Sequence, residues 1–143
     1  MSYYMRFITT DTAEMTHAIF EQVLKARDSQ YSIAESGELK HGDDVYGVVE
    51  INVSGDDVFE EELGELREFV GEVRGKRKAD VLKVLDEASA IVAIQILFGD
   101  RKWEATLQKL DPLLEWLVFN RKGLLQVDDE GYFDQTGRIL KVE

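Results

Sequence analysis

The sequence predicts an α+β fold in one domain over residues 1–143, built on a mostly antiparallel sheet. Three observations predict it. Segments with a helical period alternate with short β-branched and aromatic runs. One run, Ala90 to Phe98, is apolar on both faces and reads as a central, doubly covered strand. No repeat, low-complexity tract or proline-rich linker divides the 143 residues, and the lone proline is Pro112.

Tyr3 to Thr9 reads as a first strand, rich in aromatic and β-branched residues. Asp11 and Glu14 have the spacing of a capping box, so the first helix is expected to start at Asp11 and end near Arg27. Its core face would carry Met15, Ile19, Phe20, Val23, Leu24 and Ala26. Tyr31 to Lys40 and Val45 to Val53 read as two strands around the turn His41-Gly42-Asp43-Asp44.

A second helix opens between Ser54 and Asp57, with Phe59, Leu63, Leu66, Val70 and Val73 as its stripe. Acids crowd its first turns, and Arg74, Lys76, Arg77 and Lys78 crowd its end, where Gly75 is placed to cap it. A short helix follows over about Lys78 to Ala88, and then the strand Ala90 to Phe98. Lys102 to Asn120 is helical, with Trp103, Leu107, Leu110, Leu114, Leu117 and Val118 inward. A kink or break is expected at Asp111-Pro112, with Asp111 capping a second segment and proline at its first position. Leu124 to Val127, Tyr132 to Asp134 and Arg138 to Val142 complete the chain as short strands.

The order β-α-β-β-α-α-β-α-β-β resembles, over its first two-thirds, the ferredoxin-like arrangement with its split βαβ core; a C-terminal helix and β-hairpin follow. That likeness implies that Ala90–Phe98 pairs beside the first strand near the middle of the sheet. A three-layer α/β sandwich is the alternative, because this strand needs cover on both sides. Either superfold hosts many activities and implies no chemistry.

Composition narrows the function classes. Apolar residues make up 44% and charged residues 32%, which suits a folded protein rather than a disordered one. Seventeen Lys and Arg against 29 Asp and Glu leave a net charge of −12, so nucleic acid and anionic membranes should repel the chain. There is no cysteine, which removes disulfides, thiolate nucleophiles and cysteine-bound metal. A cytoplasmic location is expected, since the first residues lack the apolar core of a signal peptide and no run is long enough to span a bilayer.

The chemical constellations are sparse. His17 reads as a partly buried structural histidine at the margin of the first helix. His41 beside Asp43 and Asp44 has the donors of a metal site or an oriented base, but a solvated hairpin turn is the favoured reading. Asp128, Asp129, Glu130 and Asp134 form the densest acidic turn, but they miss the alternating pattern of a calcium loop. Gly71 to Lys76 misses the phosphate-loop spacing and lacks the hydroxyl residue after its lysine. No catalytic or metal-ligating residue is assigned and no cofactor is expected.

Two features ask for a partner. Gly64 and Gly71 lie on the polar side of the second helix, where each costs about 1 kcal/mol against alanine, and close approach of another backbone would justify them. Trp116 and Phe119 project away from the leucine stripe of the long helix, to be covered either by the C-terminal strands or by another subunit. Trp116, Phe119, Gly64 and Gly71 are therefore the expected interface residues of a non-catalytic interaction protein that forms a homodimer. One alternative is an acidic inhibitor or immunity-type protein that neutralises a basic protein through Asp56 to Glu72. Another is a carboxylate-based, metal-assisted hydrolase around His41–Asp44 or Asp128–Asp134.

Overall fold

The computed structural model describes residues 3–142. Eight strands and four helices follow in the order β1 (Tyr4–Thr9), α1 (His17–Arg27), β2 (Tyr31–Ile33), β3 (Glu38–His41), β4 (Asp44–Val53), α2 (Asp57–Glu72), α3 (Lys78–Glu87), β5 (Ala90–Ile96), α4 (Trp103–Asn120), β6 (Gly123–Val127), β7 (Gly131–Asp134) and β8 (Gly137–Lys141). The strands form one sheet in the order β2-β3-β4-β5-β1-β6-β7-β8, and every ladder is antiparallel. The fold is thus mixed α+β.

The expected neighbour relation holds. β5 lies beside β1 along its whole length, with Tyr4 opposite Gln95 and Thr9 opposite Ala90. Since β5 is antiparallel to both β1 and β4, those two strands run the same way with β5 between them.

Both faces of the sheet are covered. Side chains alternate along a strand, and the core residues divide accordingly. Phe7, Val92 and Ile94 pack with Phe20 and Leu24 of α1 and with Leu110, Leu113, Leu114 and Leu117 of α4. Ile8, Ile91 and Ala93 pack with Phe59, Leu63, Leu66 and Val70 of α2 and with Val81 and Leu85 of α3. Of the seven residues of β5, only Gln95 is not buried.

Four local expectations are corrected. The first helix begins at His17, where the Thr16 hydroxyl accepts from the Ile19 amide at 3.1 Å, so the Asp11–Glu14 capping box does not form. Asp11 instead accepts from the Ala13 amide at 2.7 Å and the Lys122 amide at 3.2 Å, tying the loop to the start of β6. The strand expected over Tyr31–Lys40 is two strands. Gly37 reverses the chain at φ +94°, and a Cβ there would collide with the Val49 carbonyl oxygen. α2 ends at Glu72, so Gly75 is no helix cap; it leaves room for the Leu140 side chain.

α4 runs unbroken through Pro112. Leu110 before the proline and Leu113, Leu114 and Leu117 after it are buried in one core, which anchors both halves. Gln108, whose carbonyl loses its helical partner to the proline ring, is exposed and open to water. Leu113 and Thr106 are buried although they lie outside the expected stripe, because α1 and the sheet together enclose a wider face.

Candidate functional site

A cavity of about 550 Å³ opens between α2 and the sheet, on the α2/α3 face. Its floor follows from strand register. Arg6 of β1 stands opposite Gln126 of β6, and Gln126 stands opposite Tyr132 of β7, so the three share one row and one face. α2 brings Glu62, Glu65, Leu66 and Phe69 to the other wall. Tyr3, Phe98, Asp128, Asp129 and Val142 complete the rim.

Arg6 is the hub. Its Nε donates to Glu62 Oε2 at 2.7 Å, and one terminal nitrogen donates to Gln126 Oε1 at 2.8 Å and Asp128 Oδ1 at 2.9 Å. Gln126 Nε2 donates to the same Asp128 oxygen at 3.1 Å, and the Tyr4 amide donates to the other at 3.0 Å. Burial disfavours the charge on Arg6, but the bond to Glu62 and the neighbouring Asp128 outweigh it and raise its pKa. These paired groups are mostly buried, with Arg6 and Glu62 side chains 16% and 17% exposed.

Two oxygens at this site have no partner. Glu62 Oε1 and the Tyr132 hydroxyl are both buried without a hydrogen bond. Tyr132 is only 1% exposed, and burial pushes its pKa well above the usual phenol range, so it remains a neutral donor and acceptor. Tyr3 donates to the Asp128 carbonyl at 2.6 Å; burial first, then Glu130, pushes its pKa up to about 12. Its ring packs edge-on to Trp103 at 4.8 Å, and Trp103 stacks on Phe98 at 5.1 Å, which fixes that corner of the rim.

The wall of α2 pairs two carboxylates with two apolar side chains. Leu66 is buried, but Phe69 is 60% exposed. Around the cavity stand four carboxylates, Glu62, Glu65, Asp128 and Asp129, against the single guanidinium of Arg6. The site therefore attracts positive charge and offers apolar contact beside it.

The expected interface residues sit elsewhere. Trp116 is half-buried, edge-on to Phe20 at 6.2 Å with the Arg121 guanidinium 4.7 Å over its ring. Phe119 is 63% exposed. Gly64 and Gly71 are exposed, and a Cβ on either would meet nothing within 4 Å, so no backbone of the same chain approaches them.

His17 donates from Nε2 to the Val49 carbonyl at 2.7 Å, the structural role expected of it. His41 bonds Asp28 at 2.8 Å rather than Asp43 or Asp44, and its ring meets Tyr31 edge-on. The acidic turn is divided. Asp128 and Asp129 line the cavity, Glu130 meets Tyr3, and Asp134 accepts from Thr136. The His41–Asp44 turn joins β3 to β4, and β4 lies three ladders from β6, about 14 Å at ordinary strand spacing. Among the described residues no group of three or more His, Asp or Glu is placed to hold a metal ion.

A second hollow of about 570 Å³ is a trough along α4, lined only by residues between Lys102 and Asp111. Among the described residues, no helix is long and apolar enough to cross a membrane. Compared with family models, with curated proteins and with solved structures, the chain matches none.

Proposed function

We propose that this protein acts by binding, without a reaction of its own, and that the α2 cavity is its binding site for a positively charged group. One observation carries the reading. Folded proteins pair their buried polar atoms, yet Glu62 Oε1 and the Tyr132 hydroxyl are both orphaned beside one cavity. Each orphan costs about 1–3 kcal/mol, which a bound donor would offset. The surplus of carboxylates selects a cation as that donor.

Thermal denaturation in the presence of cationic, neutral and anionic compounds tests the reading. Cations should raise the midpoint, less so as salt is added, while neutral and anionic compounds should not. A panel in which no cation stabilises the protein overturns it.

A second reading follows from the outer face of α2. Asp56 before it, and Asp57, Glu60, Glu61, Glu65, Glu68 and Glu72 along it, are all exposed. Its only basic residue, Arg67, pairs with Asp86. That surface supports an acidic inhibitor or immunity-type protein docking on a basic partner, with fast, salt-sensitive association. The exposed ring of Phe119 and the bare glycines of α2 support homodimer formation, which sedimentation at micromolar concentration tests. The absence of cysteine supports a cytoplasmic location.

The strand order β4-β5-β1-β6, with α1 and α4 sharing one core, supports the ferredoxin-like reading of the fold. In that reading α2 and α3 are an insertion between the two strands that would otherwise form the central hairpin. The cavity would then lie between the insertion and the scaffold strands β1 and β6.

A further inference from the structure

We infer that the ligand of the α2 cavity is a small organic ammonium ion with an apolar body, in chemical class an arylalkylamine or alkylamine. The inference rests on the binding reading above and names its ligand.

Charge is the first argument. Arg6 is already engaged by Glu62, Gln126 and Asp128, so the further carboxylates Glu65 and Asp129 face the opening without a cation from this site. The second argument is the orphaned oxygens. An ammonium carries three donors and no acceptor, which matches Glu62 Oε1 and the lone pairs of the Tyr132 hydroxyl.

Shape and polarity select the rest of the ligand. Leu66, Phe69, Phe98 and Val142 give the opening an apolar side, and Phe69 leaves most of its ring in water. A bare metal ion would leave that surface uncovered. A polyamine would set charged nitrogens against it. A hydrocarbon chain or ring covers it, with the ammonium reaching Glu62 and the Tyr132 hydroxyl. At about 550 Å³ the cavity falls within the roughly 300–1,000 Å³ of small-molecule sites.

The test is calorimetric titration of the whole protein with 2-phenylethylammonium chloride, beside 2-phenylethanol, spermidine and oligolysine. The expected result is saturable 1:1 binding of 2-phenylethylammonium, with 2-phenylethanol at least tenfold weaker. Glu62→Gln should weaken binding roughly tenfold, the loss of one charge-assisted hydrogen bond. Should Glu62→Gln fail to fold, as read by circular dichroism, the rim variant Glu65→Gln/Asp129→Asn should still weaken binding at least threefold. Glu87→Gln, on the exposed side of α3, should leave it unchanged. Binding that none of the site variants alters overturns the inference. Binding of spermidine or oligolysine without 2-phenylethylammonium overturns the apolar-bodied ammonium and leaves the cationic site standing. Binding of none of the cations overturns both.

Discussion

Arg6 and Glu62 meet at 2.7 Å across the gap between β1 and α2, joining residues 56 positions apart in the chain. Their side chains are 16% and 17% exposed, so neither charge is well solvated without the other. Arg6→Met should therefore destabilise the protein by about 3 kcal/mol, because it strands Glu62 and Asp128 as buried carboxylates. Adding Glu62→Gln to Arg6→Met should recover part of that loss. Urea denaturation of the two single variants and the double variant measures the coupling.

Tyr132→Phe removes a buried hydroxyl that bonds to nothing. The ring stays in its core, so the free protein should gain about 1 kcal/mol. The urea midpoint should rise with an unchanged slope. A loss of stability would mean that the hydroxyl is satisfied in solution.

Tyr3 makes alkaline stability directional. Burial, then Glu130, pushes its folded value to about 12, above the ~10 of an unfolded tyrosine. A raised pKa gives stability that is complete below pH ~10 and is lost as pH climbs toward 12. Tyr3→Phe should flatten the fall in denaturation free energy between those limits. Equal slopes for the two proteins would contradict it.

Gly64 sits mid-helix in α2 with open space where a Cβ would go. Gly64→Ala should stabilise a single molecule by about 1 kcal/mol. If two copies pack their backbones across this glycine, the same change should raise the dissociation constant in sedimentation while still stabilising the monomer. Phe119→Ser should leave monomer stability within about 0.5 kcal/mol, since its ring is 63% exposed, and should weaken any self-association.

Segments whose burial is set by their own period were legible in the sequence. β5 shows its double cover in an apolar run interrupted only by Gln95, and α2 shows its stripe in Phe59, Leu63, Leu66 and Val70, all buried. Features that depend on a distant neighbour were not. Asp11 has the spacing of a cap, but the Ala13 and Lys122 amides take its oxygens. Pro112 reads as a breaker, but leucines on both sides anchor one helix. The cavity was least legible, because Arg6, Glu62, Gln126 and Tyr132 converge only through strand register and the seat of α2. One local hint was the acidic turn, of which Asp128 and Asp129 reach the site. An isolated arginine in an otherwise apolar first strand was the stronger clue, since a buried guanidinium needs carboxylates nearby.

β1 precedes both of its sheet partners and is enclosed late. One edge of it must wait for Ala90–Ile96 and the other for Gly123–Val127. During synthesis this greasy ribbon therefore keeps both edges open until the residues of β5 and β6 have followed it. Closure of the sheet's centre becomes a long-range event that sets a slow folding rate, and chaperone dependence should concentrate in that interval.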